Sequence, residues 1–160
     1  MQTMIQSHWR IYRHFMLALR YSFFLAAIFA LIFMIALITG FYTNVEFRFL
    51  NYVMIFPFGF SLLKKARHID GDHLEYFGGL MTNFLMVGMG QLWYALLFFI
   101  YLNIDNSFMH YLAAKLPQPI FYPRLSIVFV LIGEGFAAAA ISSLALMQYF
   151  KWSRNRWAIS

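Results

Sequence analysis

The sequence predicts an all-α polytopic membrane protein: a four-helix transmembrane bundle with a short second span and interfacial helices. Three observations predict it. Hydrophobic residues make up 62% of the 160-residue chain and charged residues only 11%, against about 45–50% and about 25% in soluble domains. The uncharged residues fall into four blocks between charged ones, and Lys and Arg gather in alternate connections. The composition excludes an ordinary soluble enzyme, a disordered tail and a nucleic-acid-binding module. With 20 Phe, 10 Tyr and 4 Trp it suits a surface turned to lipid. The net charge of +6 is read as loop charge that orients the chain in a bilayer, not as affinity for nucleic acid. Cysteine is absent, which removes disulfides, thiolate nucleophiles and Cys-based metal sites.

Residues 1–20 mix Trp, Tyr and Arg and predict an interfacial helix leading into the first span. That span covers residues 21–45, 25 uncharged residues between Arg20 and Glu46. Its apolar run exceeds the roughly 7–15 residues of a signal-peptide core and no A-x-A-like site follows, so it is expected to be retained. The second span, residues 49–63, has 15 residues between Arg48 and Lys64. That is only roughly 22 Å of helix, so it crosses if Arg48 and Lys64 snorkel to the two interfaces. Pro57 and Gly59 in its middle predict a kink or a re-entrant turn. The third span, residues 76–104, has 29 uncharged residues. An outer loop follows, in which Phe108, Met109, Leu112, Ala113 and Leu116 recur at helical spacing. They predict a surface-lying helix over 106–116 that stops before Pro117, with Pro119 and Pro123 keeping the chain extended beyond it. The fourth span, residues 125–150, is broken only by Glu134. The whole chain, 1–160, reads as one transmembrane domain.

With both termini inside, nine basic residues (Arg10, Arg13, Arg20, Lys64, Lys65, Arg67, Lys151, Arg154, Arg156) face the cytoplasm. Three (Arg48, Lys115, Arg124) face outward. This asymmetry sets the expected orientation and favours four spans over three. The expected location is a bacterial inner membrane. No internal repeat is visible, so an inverted-repeat transporter is not supported.

Glu134 is the sharpest chemical feature. It lies nine residues past Leu125, roughly 14 Å along the helix. A carboxyl at that depth is costly and marks either a proton or cation site or a hydrogen-bonding contact between helices. The lack of a second acid or base at the same depth favours packing. Gly135, Ala138, Ala139 and Ser142 form a small-residue face with Glu134 within an arc of about 140°, the kind of surface on which helices approach closely. The third span offers Asn83, Gly88, Gly90 and Gln91, with Gly88, Gln91 and Ala95 on one stripe. Gln91 is the expected partner of Glu134 by depth. These residues form an intramembrane polar and packing site. No catalytic residue is expected.

His8, His14, His68, His73 and His110 lie outside the expected spans, which disfavours bis-His haem. His68, Asp70, Asp72 and His73 in the middle loop match no metal-ligand spacing well and are read as a solvated turn at Gly71. Met81, Met86 and Met89 are read as packing. No nucleophile elbow, P-loop or dinucleotide fingerprint occurs. No cofactor and no metal are expected.

The stretch from Lys64 to Phe108 carries a resemblance. A short second span ends in basic residues. Tyr76-Phe77-Gly78-Gly79 opens a long third span with Gly88 inside it, and Ile100-Tyr101-Leu102-Asn103-Ile104-Asp105-Asn106-Ser107-Phe108 closes it. This resembles a family of small four-span inner-membrane proteins of unknown function, common in Bacteroidota; Asn106 stands where those proteins often have Pro. The resemblance implies fold and location and supplies no catalytic residues. The expected function is a non-enzymatic integral membrane subunit or accessory protein. It packs through its third and fourth spans against itself or other membrane subunits, with the lipid bilayer as its constant partner. A small proton- or cation-coupled transporter using Glu134 is the alternative.

The charge count generates a topology test, since single cysteines meet no background. Cysteines at Gly71 and Ser153 should react with an impermeant maleimide only from the cytoplasmic side, and one at Ser107 only from outside. Labelling of positions 71 and 107 from the same side would contradict four spans.

Overall fold

The computed structural model describes residues 2–41, 45–70, 75–114 and 122–157, without the side chains of 2–10, 45–48, 113 and 152–157. Among them are five helices: α1 (Gln2–Thr39), α2 (Val45–Ile69), α3 (Tyr76–Ile104), α4 (Asn106–Ala113) and α5 (Pro123–Trp157). Three are long and apolar enough to cross a membrane, over Ile11–Thr39, Tyr76–Ile104 and Pro123–Lys151.

The interfacial helix expected over 1–20 is not separate. Neither Gly nor Pro occurs before Gly40, so nothing breaks the helix and α1 runs on through the first span. The candidate span within it, Ile11–Thr39, begins before the expected 21–45 and ends with the helix. Gly40 ends it with φ +76°, the left-handed position that glycine adopts without steric cost. The hydroxyl of Thr39 donates to the Ile35 carbonyl at 2.7 Å.

The second segment is one helix of 25 residues with Pro57 inside it, not a re-entrant turn. Proline costs the helix one backbone donor, and the turns on either side, together with neighbouring helices, carry the segment past it. It extends beyond 49–63 because its charged flanks are helical too. Its uncharged core is too short for it to count among the three long apolar helices.

α3 has the bounds that its charges mark, Tyr76–Ile104. α4 is shorter than 106–116, ending at Ala113. Lys115, Pro117 and Pro119 lie outside the described residues. α5 begins on Pro123, at a first-turn position where a missing N–H costs nothing.

One aspartate joins α3 to α4. The Asp105 N–H donates to the Tyr101 carbonyl at 2.9 Å and closes α3. Its side chain accepts from the Phe108 N–H at 3.0 Å and so caps α4, and it accepts the Tyr101 hydroxyl at 2.9 Å. Arg124 then donates to Asn106 Oδ1 at 2.6 Å, tying the start of α5 to the same corner.

The long helices α1, α2, α3 and α5 alternate in direction along the chain. α1 and α3 run together: Gly90 lies against Ser22 and Leu25, and Phe29 meets Tyr94, then Phe33 meets Tyr101. α5 runs against α3, with Leu131 beside Gln91 and Ser143 beside Asn83. α2 runs with α5, from Tyr52 beside Glu134 to Gly59 beside Leu146. α3 is the centre and touches each of the other four helices, while α1 and α5 flank it without meeting among the described residues. The core holds Leu25, Phe29, Ile55, Leu62, Met86, Val87 and Leu102. At the α4 end, Phe33 packs its ring at 5.1–5.8 Å from Phe98, Tyr101 and Phe108. Outward, Phe24, Leu31, Ile38, Phe77, Ile104, Phe129 and Ile141 are exposed, an apolar exterior that water would not tolerate over so large an area.

The Phe108 N–H, and then the Tyr101 hydroxyl, hold the Asp105 carboxyl below the usual carboxylate range. A depressed folded pKa gives stability that is present above the unfolded value and lost as pH falls through the folded one. Amide protection of Phe108 should therefore weaken as pH drops below about 4. Asp105→Asn, which keeps a capping oxygen but no charge, should lack that acid transition.

Candidate functional site: a polar layer inside the bundle

Gln91 and Gly135 form a close contact between α3 and α5. A Cβ at position 135 would overlap the Gln91 side chain at Cγ and Cδ, so only glycine lets the amide through. Gln91 Nε2 then donates to the Leu131 carbonyl at 2.9 Å, the carbonyl that lies one turn before Gly135. The side chain is buried, and this bond offsets the cost of burying the amide's donor in apolar surroundings.

The expected Gln91–Glu134 pair does not form. Successive helix residues are about 100° apart, and it is Gly135 that faces α3. Glu134 turns instead toward α2, where the Tyr52 hydroxyl donates to Oε2 at 2.9 Å. Both side chains are half-buried.

Two turns along, Asn83 supplies the second polar contact. It is fully buried, and its Nδ2 donates to Ser143 Oγ at 2.9 Å and more weakly to Ser142 Oγ at 3.5 Å. Ser142 in turn donates to the Ala139 carbonyl at 3.2 Å. Asn83 Oδ1 has no hydrogen-bond partner. It lies where a Cβ of residue 59 would sit, as does Leu146 Cδ1, so Gly59 lets α2 approach α3 and α5. Between these layers a Cβ on Gly88 would lie 3.2 Å from the Phe136 ring, and Ala139 is fully buried. Of the residues singled out by sequence, Asn83, Gly88, Gln91, Gly135, Ala139 and Ser142 meet at the α3–α5 seam. Glu134 belongs to the α2–α5 seam.

A third cluster was not visible in the sequence. His14 lies within the first candidate span, Ile11–Thr39, contrary to the expectation that every histidine stands outside the spans. Its Nδ1 is 3.0 Å from Thr82 Oγ1, and its Nε2 is 3.1 Å from Asp70. Thr82 uses its one proton on the Gly78 carbonyl at 2.7 Å, so it accepts from His14 Nδ1–H. Nε2 then faces the Asp70 carboxylate, and the contact is an ion pair when His14 carries both protons. Asp70 is thus a clasp across α1, the end of α2 and α3, not part of a freely solvated turn. His68 is exposed, and Asp72 and His73 lie outside the described residues. Among the described residues no three His, Asp or Glu gather as metal ligands. Partners 56 and 68 residues apart leave no local spacing to read.

Compared with protein families, curated proteins and solved structures, the chain finds no match.

The glycine geometry is directly testable. Gly133 has open space where a Cβ would go, whereas Gly135 does not. Gly135→Ala should destabilise the bundle by about 1–3 kcal/mol through overpacking. Gly133→Ala should leave stability unchanged or slightly raised. Unfolding in mixed micelles of rising SDS fraction measures both.

Proposed function

We propose that the chain is a four-span accessory subunit of a bacterial inner membrane, with both termini cytoplasmic and no chemistry of its own. The single observation that carries this reading is the use made of the polar side chains at depth. Gln91, Asn83, Ser142 and Ser143 join α3 to α5, and Tyr52 joins α2 to Glu134. Polar groups spent on helix contacts are the signature of packing. The nine-to-three basic asymmetry and the alternating helix directions support α2 as the fourth span. Its 25 residues reach roughly 37 Å when helical, enough to cross if the charged flanks snorkel. The resemblance to four-span inner-membrane proteins points the same way.

The small-residue face expected to meet a partner is occupied by α3 within the chain, so association with other subunits falls to the outer apolar faces. Co-purification in mild detergent, with identification of what migrates alongside, tests the subunit reading.

A proton or cation carrier is the second reading. It is favoured by one observation: Glu134 and Tyr52 are only half-buried, at a seam between two helices. Glu134→Gln separates the two. As a packing group, Gln still accepts from Tyr52, so thermal stability and co-purification should be retained. Tyr52→Phe should cost about 0.6 kcal/mol, the mean for such bonds in membranes. Loss of gradient-driven proton flux in proteoliposomes on Glu134→Gln would establish the carrier instead.

A further inference from the structure

The outer face of α2 and α5 carries a groove of about 500 Å3, lined by Phe56, Pro57, Phe60, Ser61, Ala145, Leu146 and Tyr149. That volume lies within the roughly 300–1,000 Å3 of small-molecule sites. Its origin is local. Gly59 draws the inner face of α2 onto Asn83 and Leu146. On the outer face Pro57, Ser61 and Ala145 are short, while aromatic rings stand on either side. Phe60 is 5.8 Å from the Tyr149 ring and 5.4 Å from that of Phe150.

No charged residue lines the groove, but lysines stand just beyond its Ser61 end. On α2, Pro57, Phe60, Ser61 and Lys64 follow one stripe, since seven residues bring Lys64 back to within about 20° of Pro57. Lys64 lies roughly 12 Å along the helix from Phe56. It is exposed, as are Lys65 beside it and Lys151 on α5, which ends at the same side of the bundle. No acidic residue occurs on α5 after Glu134, and the acids nearest Lys64 in the chain are Asp70, just past α2 and facing His14, and Asp72 and Glu75 in the connection to α3. A shallow apolar groove about one and a half turns long, with exposed lysines one turn beyond its Ser61 end, is complementary to one kind of molecule. Its occupant carries a hydrocarbon chain with a negative charge at its head.

We propose that this groove binds an anionic phospholipid, with an acyl chain lying over Pro57, Ser61 and Ala145 alongside the Phe56, Phe60 and Tyr149 rings and the phosphate at Lys64. The proposal rests on the reading that the chain crosses a bilayer. Basic pockets at the cytoplasmic ends of helices are where anionic headgroups bind, and a tyrosine at the edge of the apolar layer suits the headgroup boundary.

The test uses the full chain in detergent, offered equal amounts of dioleoylphosphatidylglycerol and dioleoylphosphatidylcholine, with retained lipid read by native mass spectrometry. Phosphatidylglycerol should be retained preferentially. Lys64→Gln, at an exposed position with no packing role, should reduce that preference roughly fivefold. Ala145→Phe, which fills the groove from an exposed position, should abolish retention without lowering the melting temperature. Equal retention of the two lipids overturns the proposal, as does a preference that survives Lys64→Gln. Loss with Lys64→Gln but not with Ala145→Phe also overturns it, because charge alone is then sufficient. A second copy of the chain retained in place of lipid overturns it too. Alkaline carbonate extraction of membranes separates the two levels. A chain that stays in the membrane yet shows no preference refutes the lipid site alone, and a chain that is extracted refutes the membrane reading beneath it.

Discussion

An amide donor in an apolar interior costs several kcal/mol unless it finds an acceptor, and Gln91 Nε2 meets that demand only because residue 135 has no side chain. The Leu131 carbonyl it reaches belongs to the helix backbone, so the bond needs α5 to come close to α3. That single approach fixes which face of α5 turns inward. It brings Ala139, Ser142 and Leu146 onto α3 at helical spacing, and it rotates Glu134 away toward α2. The serines then fall opposite Asn83, and the second polar contact follows from the first.

α3 is the element on which the rest is assembled. One side holds α5 through polar contacts between small residues. The other holds α1 through Gly90 against Ser22 and Leu25 and through aromatic edges at Phe29, Phe33, Tyr94 and Tyr101. The two sides use different physics. Hydrogen bonds are directional and set register, whereas rings fill volume and tolerate small rotations. α2 completes the bundle with both, through Gly59 at the centre, Tyr52 toward one end and the Asp70 clasp at the other. Its mid-helix proline lies on the outer face, where the groove is.

This arrangement bears on function through what it leaves over. The polar groups at depth are engaged in holding helices, and the exterior is an apolar surface with basic residues gathered at one end of α2 and α5. A protein built this way meets its surroundings through shape and charge at the helix exteriors. The proposed accessory-subunit role and the proposed lipid site are both drawn from that division between an inward polar layer and an outward apolar one.

The sequence by itself determined the helical class and the bounds of α3. It also marked the short uncharged core of α2 and six of the residues at the α3–α5 seam (Asn83, Gly88, Gln91, Gly135, Ala139 and Ser142), though not Ser143 or the Leu131 carbonyl, because charge spacing and small-residue periodicity are local properties. It misjudged α1, whose continuity depends on the absence of a breaker more than on the change from mixed to apolar composition. Only the tertiary structure decided the partners. Glu134 and Gln91 match in depth, yet depth does not fix rotation, and the Gly135 approach turned them to different neighbours. His14, Thr82 and Asp70 come from three helices, and Tyr52 reaches Glu134 across 82 residues. Such pairings arise from the relative placement of whole helices, which is set by the sum of their packing and is written in no short stretch of chain.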